Sequence, residues 1–162
     1  MNEKKNLTIE ETFALAVQNH KKKNLKVAQN LYKKILKTNP NYAGVCYNLG
    51  ITYKELKEYQ KAISCYEKAI KIDPNYVQAH LNLGIVFKEI EELQKAINCF
   101  QNAINIQPDY AEAHNSLGLA FIKLKEYQKA ISCFQKAIQY NSNNPSAHTN
   151  LGIALKELGE YQ

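Results

Sequence analysis

The sequence of 162 residues predicts an all-α protein built from stacked helical hairpins. Three observations support this class. Apolar residues recur at helical spacing twice within each repeat. Prolines recur where one hairpin should end and the next begin, because proline cannot continue a helix. Above all, a 34-residue period runs along the chain, as a single row of glycines shows: Gly50, Gly84, Gly118 and Gly152.

The period divides the chain into units. A polar N-terminal tail covers residues 1–8, and residues 9–42 form a degenerate first repeat. The complete repeats are 43–76, 77–110 and 111–144. Residues 145–162 form either a partial repeat or a capping helix. Because Glu160-Tyr161-Gln162 repeats the start of earlier second helices, we expect the chain to be a piece of a longer array.

Each unit contains two helical faces. In the 43–76 unit the first face is carried by residues at i, i+3, i+4 and i+7, namely Cys46, Leu49, Gly50 and Tyr53. A break follows at Lys57-Glu58. The second face then contains Ala62, Tyr66, Ala69 and Ile70. At the front of the chain, Thr8 followed by Glu11 predicts a capping box for the first helix.

The glycine row needs a physical reason, because glycine inside a helix costs about 1 kcal/mol relative to alanine. We predict that something packs closely on the backbone at this point. The second helix offers a row of small residues for this role, Ala62, Ala96 and Ala130. The aromatic rings one turn further on should fill the adjacent space: Tyr66, Phe100 and Phe134.

These residues resemble the tetratricopeptide repeat pattern W-x2-L-G-x2-Y…A-x3-F…P from about residue 9 onward. The best-matched unit shows Leu49-Gly50, Tyr53, Ala62, Tyr66 and Pro74. The departures are Cys or His in place of the opening aromatic residue, at Cys46, His80 and His114. The third proline is also displaced, from Ser142 to Pro145, which predicts a differently shaped junction.

The resemblance implies a right-handed superhelix in which the first helix of each unit lines a concave groove. Groove-facing positions of the family then map onto an asparagine-rich row at position 6: Asn48, Asn82, Ser116 and Asn150. They also map onto lysines at positions 12 and 13: Lys54, Lys88, Lys156 and Lys123. We expect these eight residues to form the peptide-binding groove.

The asparagine row predicts how a ligand would be held. An asparagine amide carries donors and an acceptor, so it can bond both the N–H and the C=O of an extended peptide. The row resembles the asparagine ladder in the superhelix of O-linked N-acetylglucosamine transferase. The alternative is that asparagine is simply a common surface residue here. The lysines would favour acidic side chains, but the cations of the family's carboxylate clamp are missing, since Tyr47, Ile51 and Glu112 occupy its positions.

Composition argues against several other classes. The net charge of +6 comes from residues 1–42, and all 21 basic residues are lysine. The absence of arginine disfavours nucleic acid as a partner. No apolar run reaches the roughly 20 residues of a membrane span. No catalytic motif or cofactor-binding loop is present, so no enzyme activity and no cofactor are expected.

The periodic cysteines and histidines are predicted to be packing residues. Equivalent positions in neighbouring repeats should lie too far apart for a disulfide or a metal site. We therefore expect Cys65, Cys99 and Cys133 to be small core residues, and His80 and His114 to pack between the helices of a hairpin.

The predicted function is a protein-interaction scaffold that binds an extended peptide, in the cytoplasm or the nucleus. One alternative is the substrate-recruiting part of a larger enzyme, such as a protein O-GlcNAc transferase. Another is a structural subunit of a multiprotein assembly. Self-association through the open C-terminal end is a further alternative.

Overall fold

The computed structural model describes residues 7–159, and nine α-helices account for most of that stretch. The helices are α1 Ile9–Lys21, α2 Leu25–Thr38, α3 Ala43–Glu55, α4 Tyr59–Ile72, α5 Val77–Glu89, α6 Leu93–Ile106, α7 Ala111–Lys123, α8 Tyr127–Tyr140 and α9 Pro145–Leu158. No strand occurs between residues 7 and 159. The all-α class is therefore confirmed.

The chain divides into two compact units, Met1–Ala79 and His80–Gln162. In the first unit α1 packs on α2, α2 on α3, and α3 on α4. In the second unit α6 packs on α7, α7 on α8, and α8 on α9. Within each unit, consecutive helices therefore cover one another's apolar faces, as expected for hairpins whose helices cannot bury their surface alone.

The predicted capping box is present at the start of α1. The Thr8 hydroxyl accepts a hydrogen bond from the Glu11 amide at 3.1 Å, and the Glu11 carboxylate accepts one from the Thr8 amide at 2.9 Å. Two amide groups that the first turn leaves without helical partners are thereby satisfied.

The glycines lie beneath aromatic rings rather than against alanine. A Cβ added at Gly50 would lie 2.6 Å from the Tyr66 ring, and one at Gly118 would lie 2.5 Å from the Phe134 ring. The atoms nearest to such a Cβ thus belong to the ring, so the expectation of small residue against small residue needs correction. The rings are fully buried, and their edges occupy the volume that a side chain would need.

A left-handed residue follows the first helix of each repeat. The residues with positive φ angles are spaced 34 residues apart: Lys23, Lys57, Glu91, Lys125 and Gly159. Only the last is glycine, the residue that adopts this conformation without a steric penalty. In the 43–76 unit the break falls where the sequence predicts it, between Glu55 and Tyr59.

The junction before α9 is as long as the earlier ones, despite its displaced proline. Helix α8 ends at Tyr140 and α9 begins at Pro145, just as α4 ends at Ile72 and α5 begins at Val77. Pro145 occupies the first helical position, where its missing N–H is not needed. The Asn144 side chain caps the helix by accepting a hydrogen bond from the Ala147 amide at 3.1 Å.

Candidate peptide-binding groove

A depression of about 400 Å³ lies on the second unit, between α7 and α9. These are the first helices of two successive hairpins. The depression is lined by two apolar and four polar residues: Leu119, Pro145, Asn115, Ser146, Thr149 and Asn150. Its wall thus combines apolar contact area with amide and hydroxyl groups that can orient a ligand.

Two asparagines form a pair across this depression. The Asn150 Nδ2 donates a hydrogen bond of 3.0 Å to the Asn115 Oδ1. Within the described residues, no other hydrogen bond involves the Asn115 Nδ2 or the Asn150 Oδ1. The pair therefore keeps a donor and an acceptor for a ligand, which are the groups that an extended peptide backbone requires.

The predicted position-6 row is not uniform in the second unit. Asn82 and Asn150 are half-buried, whereas Ser116 is only 6% exposed. The residue that lines the depression on α7 is the preceding one, Asn115. Asn115 is not among the residues predicted from the sequence, although the family resemblance assigns its position to the groove.

In the first unit, Asn48 is half-buried and bonds to its own helix. Its Nδ2 donates to the Gly44 carbonyl oxygen at 2.7 Å, one turn back along α3. The backbone carbonyl of Asn48 accepts from the Thr52 hydroxyl at 2.9 Å. Asn48 therefore presents mainly its side-chain oxygen and one remaining N–H to a ligand.

A polar network joins α1 to α3 in the same unit. His20 Nδ1 lies 3.0 Å from the Thr52 hydroxyl, and His20 Nε2 lies 3.0 Å from the Glu55 carboxylate. Lys23 donates to the other Glu55 oxygen at 2.8 Å. Hydrogen bonds from Lys23 first, and from His20 next, hold the pKa of Glu55 below its ordinary value.

The network contains hydroxyl, imidazole and carboxylate groups, but its geometry does not suit a nucleophile. Thr52 is fully buried, and its hydroxyl proton is donated to the Asn48 carbonyl. The oxygen can then only accept from the histidine, so both ring nitrogens of His20 face acceptors. The His20 ring thus links α1 to α3 through its two ring nitrogens.

The predicted lysines differ in their surroundings. Lys88 is half-buried, and within residues 7–159 its ammonium group has no salt bridge. Burial, and then the nearby Lys123, lower the pKa of Lys88. Lys123, the last residue of α7, forms a salt bridge with Glu91, which lies between α5 and α6. Lys54 is half-buried and Lys156 is exposed. Lys88 is thus the cation with most to gain from a bound carboxylate.

The periodic cysteines and His114 pack in the hairpins. None of the four cysteines, all of which lie in the described part of the chain, forms a disulfide. Burial raises the pKa of Cys65 to about 12 and that of Cys133 to about 11. The His114 ring lies 5.4 Å from the Tyr140 ring on α8, as predicted. Its Nε2 also donates to the Pro108 carbonyl at 2.9 Å, a link to the preceding junction that was not predicted.

No cluster of three potential metal ligands occurs among the described residues. No helix in the described part of the chain is long and apolar enough to cross a membrane.

Comparison with known protein families matches repeat models along most of the chain. A tetratricopeptide repeat model matches residues 43–76, and a second one matches residues 65–98. A model described as TPR repeat matches residues 86–125 and 118–159. A model of anaphase-promoting complex subunit 5 matches residues 1–39. No curated protein sequence gives a significant match.

Several solved structures are similar to this one. A crystal structure of MamA protein shares 29% identity with a TM-score of 0.85, covering 93% of this chain and 82% of that one. A second MamA structure shares 30% identity with a TM-score of 0.83, covering 89% and 84%. The first TPR of Spaghetti (RPAP3), bound to the HSP90 peptide SRMEEVD, shares 22% identity with a TM-score of 0.70, covering 72% and 93%.

Proposed function

Because the chain belongs to the tetratricopeptide repeat family, we propose that it binds an extended peptide segment of a partner protein along the first helices of its hairpins. The family and the similar solved structures support a role as a protein-interaction scaffold. The first TPR of RPAP3, which holds an HSP90 peptide, supports a peptide as the ligand. The sequence of the peptide is expected to differ here, because this chain lacks the clamp cations.

The observation that carries the proposal is the Asn115–Asn150 pair in the depression between α7 and α9. One free amide donor and one free amide acceptor lie side by side there. A peptide in extended conformation presents both a C=O and an N–H that such groups can bond. The pair would therefore hold the backbone of the ligand, while Leu119 and Pro145 contact its side chains.

Charge favours acidic residues in the ligand. Lys88 is half-buried and near a second cation, Lys123, so its charge is poorly solvated in the free protein. An Asp or Glu side chain of the ligand would add a negative charge to that of the nearby Glu89 and raise the pKa of Lys88 again. Removing the charge with Lys88→Met should then weaken the binding of acidic peptides more than that of neutral ones.

The test uses a displayed library of random dodecapeptides, selected on the full chain and resynthesised with a fluorescent label. We expect Asn115→Ala and Asn150→Ala each to weaken peptide binding roughly fivefold to tenfold, the equivalent of one or two hydrogen bonds. In a double-mutant cycle the two effects should not add, because the two amides act as one unit. Methylating one backbone nitrogen of the peptide should reproduce the loss.

The matched control is Asn102→Ala, an exposed asparagine on α6 that lies away from the depression. Circular dichroism of each variant checks that helicity is retained. If the library yields no binder, or if the two groove variants bind every selected peptide as the wild type does, the proposed site is wrong.

We further propose that the chain is not itself catalytic. The support is the buried state of Thr52 and the bond that its hydroxyl donates to the Asn48 carbonyl, which leave no activated nucleophile in the His20 network.

A further inference from the structure

The second helices of the first unit carry exposed cations that the protein does not neutralise. Within residues 7–159, no salt bridge involves any of five exposed lysines on α2 and α4: Lys33, Lys34, Lys37, Lys68 and Lys71. The lysine near the start of α4, α6 or α8, by contrast, pairs with the glutamate three residues before it. The five lysines therefore keep their charge available for a ligand.

This charge is confined to the first unit. The positions on α6 that correspond to the three lysines of α2 carry neutral amides, all of them exposed: Gln101, Asn102 and Asn105. Helices α2 and α4 together contain a single acidic residue, Glu67. Because amides keep the same face of α6 in contact with water, solvation of the helix does not by itself require the lysines of α2 and α4.

The lysines border a furrow between α2 and α4 whose floor is α3. Both helices pack on α3, whereas their backbones make no close approach to each other in the described part of the chain. The ammonium groups of Lys33 on α2 and Lys61 on α4 lie 5.8 Å and 5.6 Å from the centre of the Tyr53 ring on α3. The two walls thus bring cations to one ring of the floor.

The charges of both walls also meet further along the furrow. Burial, and then the Cys46 thiol, raise the pKa of Cys65 on α4, whereas the charges of Lys68 and Lys33 lower it. A depression of about 680 Å³ adjoins this point, which is within the size range of ligand-binding clefts. It is lined by Asn41, Ser64, Glu67, Lys68, Lys71 and Ile72.

We propose that the furrow between α2 and α4 is a second docking surface, which binds an acidic segment of a partner protein through Lys33, Lys68 and Lys71. Carboxylates of the segment would supply the counter-ions that the five lysines lack, and Asn41 and Ser64 would donate further hydrogen bonds. The furrow is separate from the peptide groove, because its walls are second helices and the groove is formed by first helices.

The shape and the side chains of the furrow favour a protein segment over a lipid surface. Peripheral binding to a membrane is strengthened by exposed apolar side chains that enter the lipid. None of the large apolar side chains that are exposed within residues 7–159 lies on α4, or on α2 after Val27. A narrow acidic chain can also reach cations on both walls of a furrow, which a flat bilayer contacts only at its rims.

The probe is a fluorescent, end-capped dodecapeptide of alternating Glu and Ser, titrated at low salt into the full chain carrying Lys88→Met. That substitution removes the cation proposed to attract acidic ligands to the peptide groove. We expect a saturable rise in anisotropy, with a dissociation constant below about 1 mM, that weakens as salt is added. A peptide of alternating Gln and Ser should not bind. If the Glu peptide does not bind either, the proposal is wrong.

The position of the charge is tested with two triple variants that lose the same net charge. Replacing Lys33, Lys68 and Lys71 with Gln should weaken binding of the Glu peptide roughly tenfold or more. The matched control replaces exposed lysines outside the furrow with Gln, namely Lys21, Lys22 and Lys136, and should retain the affinity to within about twofold. An equal loss in both variants would mean that binding follows net charge alone, which overturns the proposed surface.

Charge reversal provides a result that misfolding cannot produce. Replacing Lys33, Lys68 and Lys71 with Glu should abolish binding of the Glu peptide and create binding of a peptide of alternating Lys and Ser. Equal binding of the lysine peptide before and after reversal would contradict the proposal. Sedimentation with phosphatidylserine vesicles tests the lipid alternative, since vesicle binding that the Gln variant loses, without any binding of the Glu peptide, would assign the furrow to a membrane. Asn115→Ala should leave the Glu peptide bound, so the furrow and the groove can fail independently.

Discussion

Four aromatic rings occupy one and the same position in successive hairpins, and all four are fully buried: Tyr32, Tyr66, Phe100 and Phe134. The tyrosines carry a hydroxyl that the phenylalanines lack. In Tyr32 that hydroxyl is buried and has no hydrogen-bond partner in the described structure, and burial raises its pKa to about 12. A polar atom that loses water and gains no partner lowers stability.

Replacing Tyr32 with Phe should therefore stabilise the chain by about 1–2 kcal/mol at neutral pH. Urea denaturation gives the value, and Phe100→Tyr is the matched control, expected to destabilise. The pH dependence provides a second readout. The pKa of Tyr32 is about 12 in the folded chain, against about 10 unfolded. Because the folded chain releases this proton less readily than the unfolded chain, stability falls as pH rises through that window. Tyr32→Phe should lack this loss, and a less stable Phe variant would contradict the argument.

The turn inside each hairpin places a left-handed residue where the sequence gives almost no signal. Lys125 adopts a φ of 60° and Lys57 one of 58°, yet only Gly159 at the equivalent position is the residue type expected there. A non-glycine residue in this region costs about 1 kcal/mol or more. The tight connection between the two helices is therefore maintained by helix packing, which outweighs this local preference.

Lys125→Gly should consequently raise the free energy of unfolding by roughly 0.5–1 kcal/mol, after the greater freedom of glycine in the unfolded chain is allowed for. The control is Lys136→Gly, an exposed position in the middle of α8, where glycine should cost about 1 kcal/mol. Both values come from chemical denaturation of the two variants. A decrease in stability for both would show that Lys125 is not strained.

The stability contributed by the contact between α1 and α3 should depend on pH. The pKa of Glu55 is held below its ordinary value by Lys23 and His20. Its contribution to stability is therefore fully present above the unfolded carboxyl pKa near 4 and is lost as pH falls through the lower folded value. Glu55→Gln should lower stability by about 0.5–1 kcal/mol at pH 7.

Urea midpoints measured from pH 7 down to pH 3 test this contribution. The difference between Glu55→Gln and the wild type should shrink toward zero at the acid end. Glu67→Gln, on the exposed side of α4, serves as the control and should track the wild type throughout. A Glu55→Gln deficit that persists unchanged at pH 3 would exclude the salt bridge as its cause.

The helices and their ends could largely be predicted, because a helix is recognised from the spacing of residues three and four positions apart. The period, the breaks at Lys57-Glu58 and at Pro74, and the Thr8 cap are of this kind. The sequence did not show whether the aromatic ring or the nearby alanine contacts each glycine, since both residue types recur with the same period. The Asn115–Asn150 pair and the His20 network join residues 32 to 35 positions apart. Such contacts depend on the angle between neighbouring helices.

At the scale of the whole molecule, the core consists of separate local clusters. Phe134 packs with Ala130, Ile131 and Ala154 on α8 and α9. In the first unit, Cys46 packs with Ala69 and Ala79. Every such contact lies within a hairpin or between consecutive ones. The free energy of unfolding should therefore be a sum of the stabilities of single hairpins and of the contacts between adjacent ones. A mutation in one hairpin should then destabilise only that hairpin and its neighbours.

Phe134→Ala and Tyr66→Ala test this locality, each with an expected cost of about 3–5 kcal/mol. Native-state hydrogen exchange should show the largest loss of protection in α7, α8 and α9 for Phe134→Ala, and in α3 and α4 for Tyr66→Ala. The helices that lose most protection in one variant should lose least in the other, because each ring supports only the helices that it touches. An equal loss of protection across Met1–Ala79 and His80–Gln162 in either variant would mean that the chain unfolds as one cooperative block. The additive description would then fail, since one lost ring would weaken distant and adjacent hairpins alike.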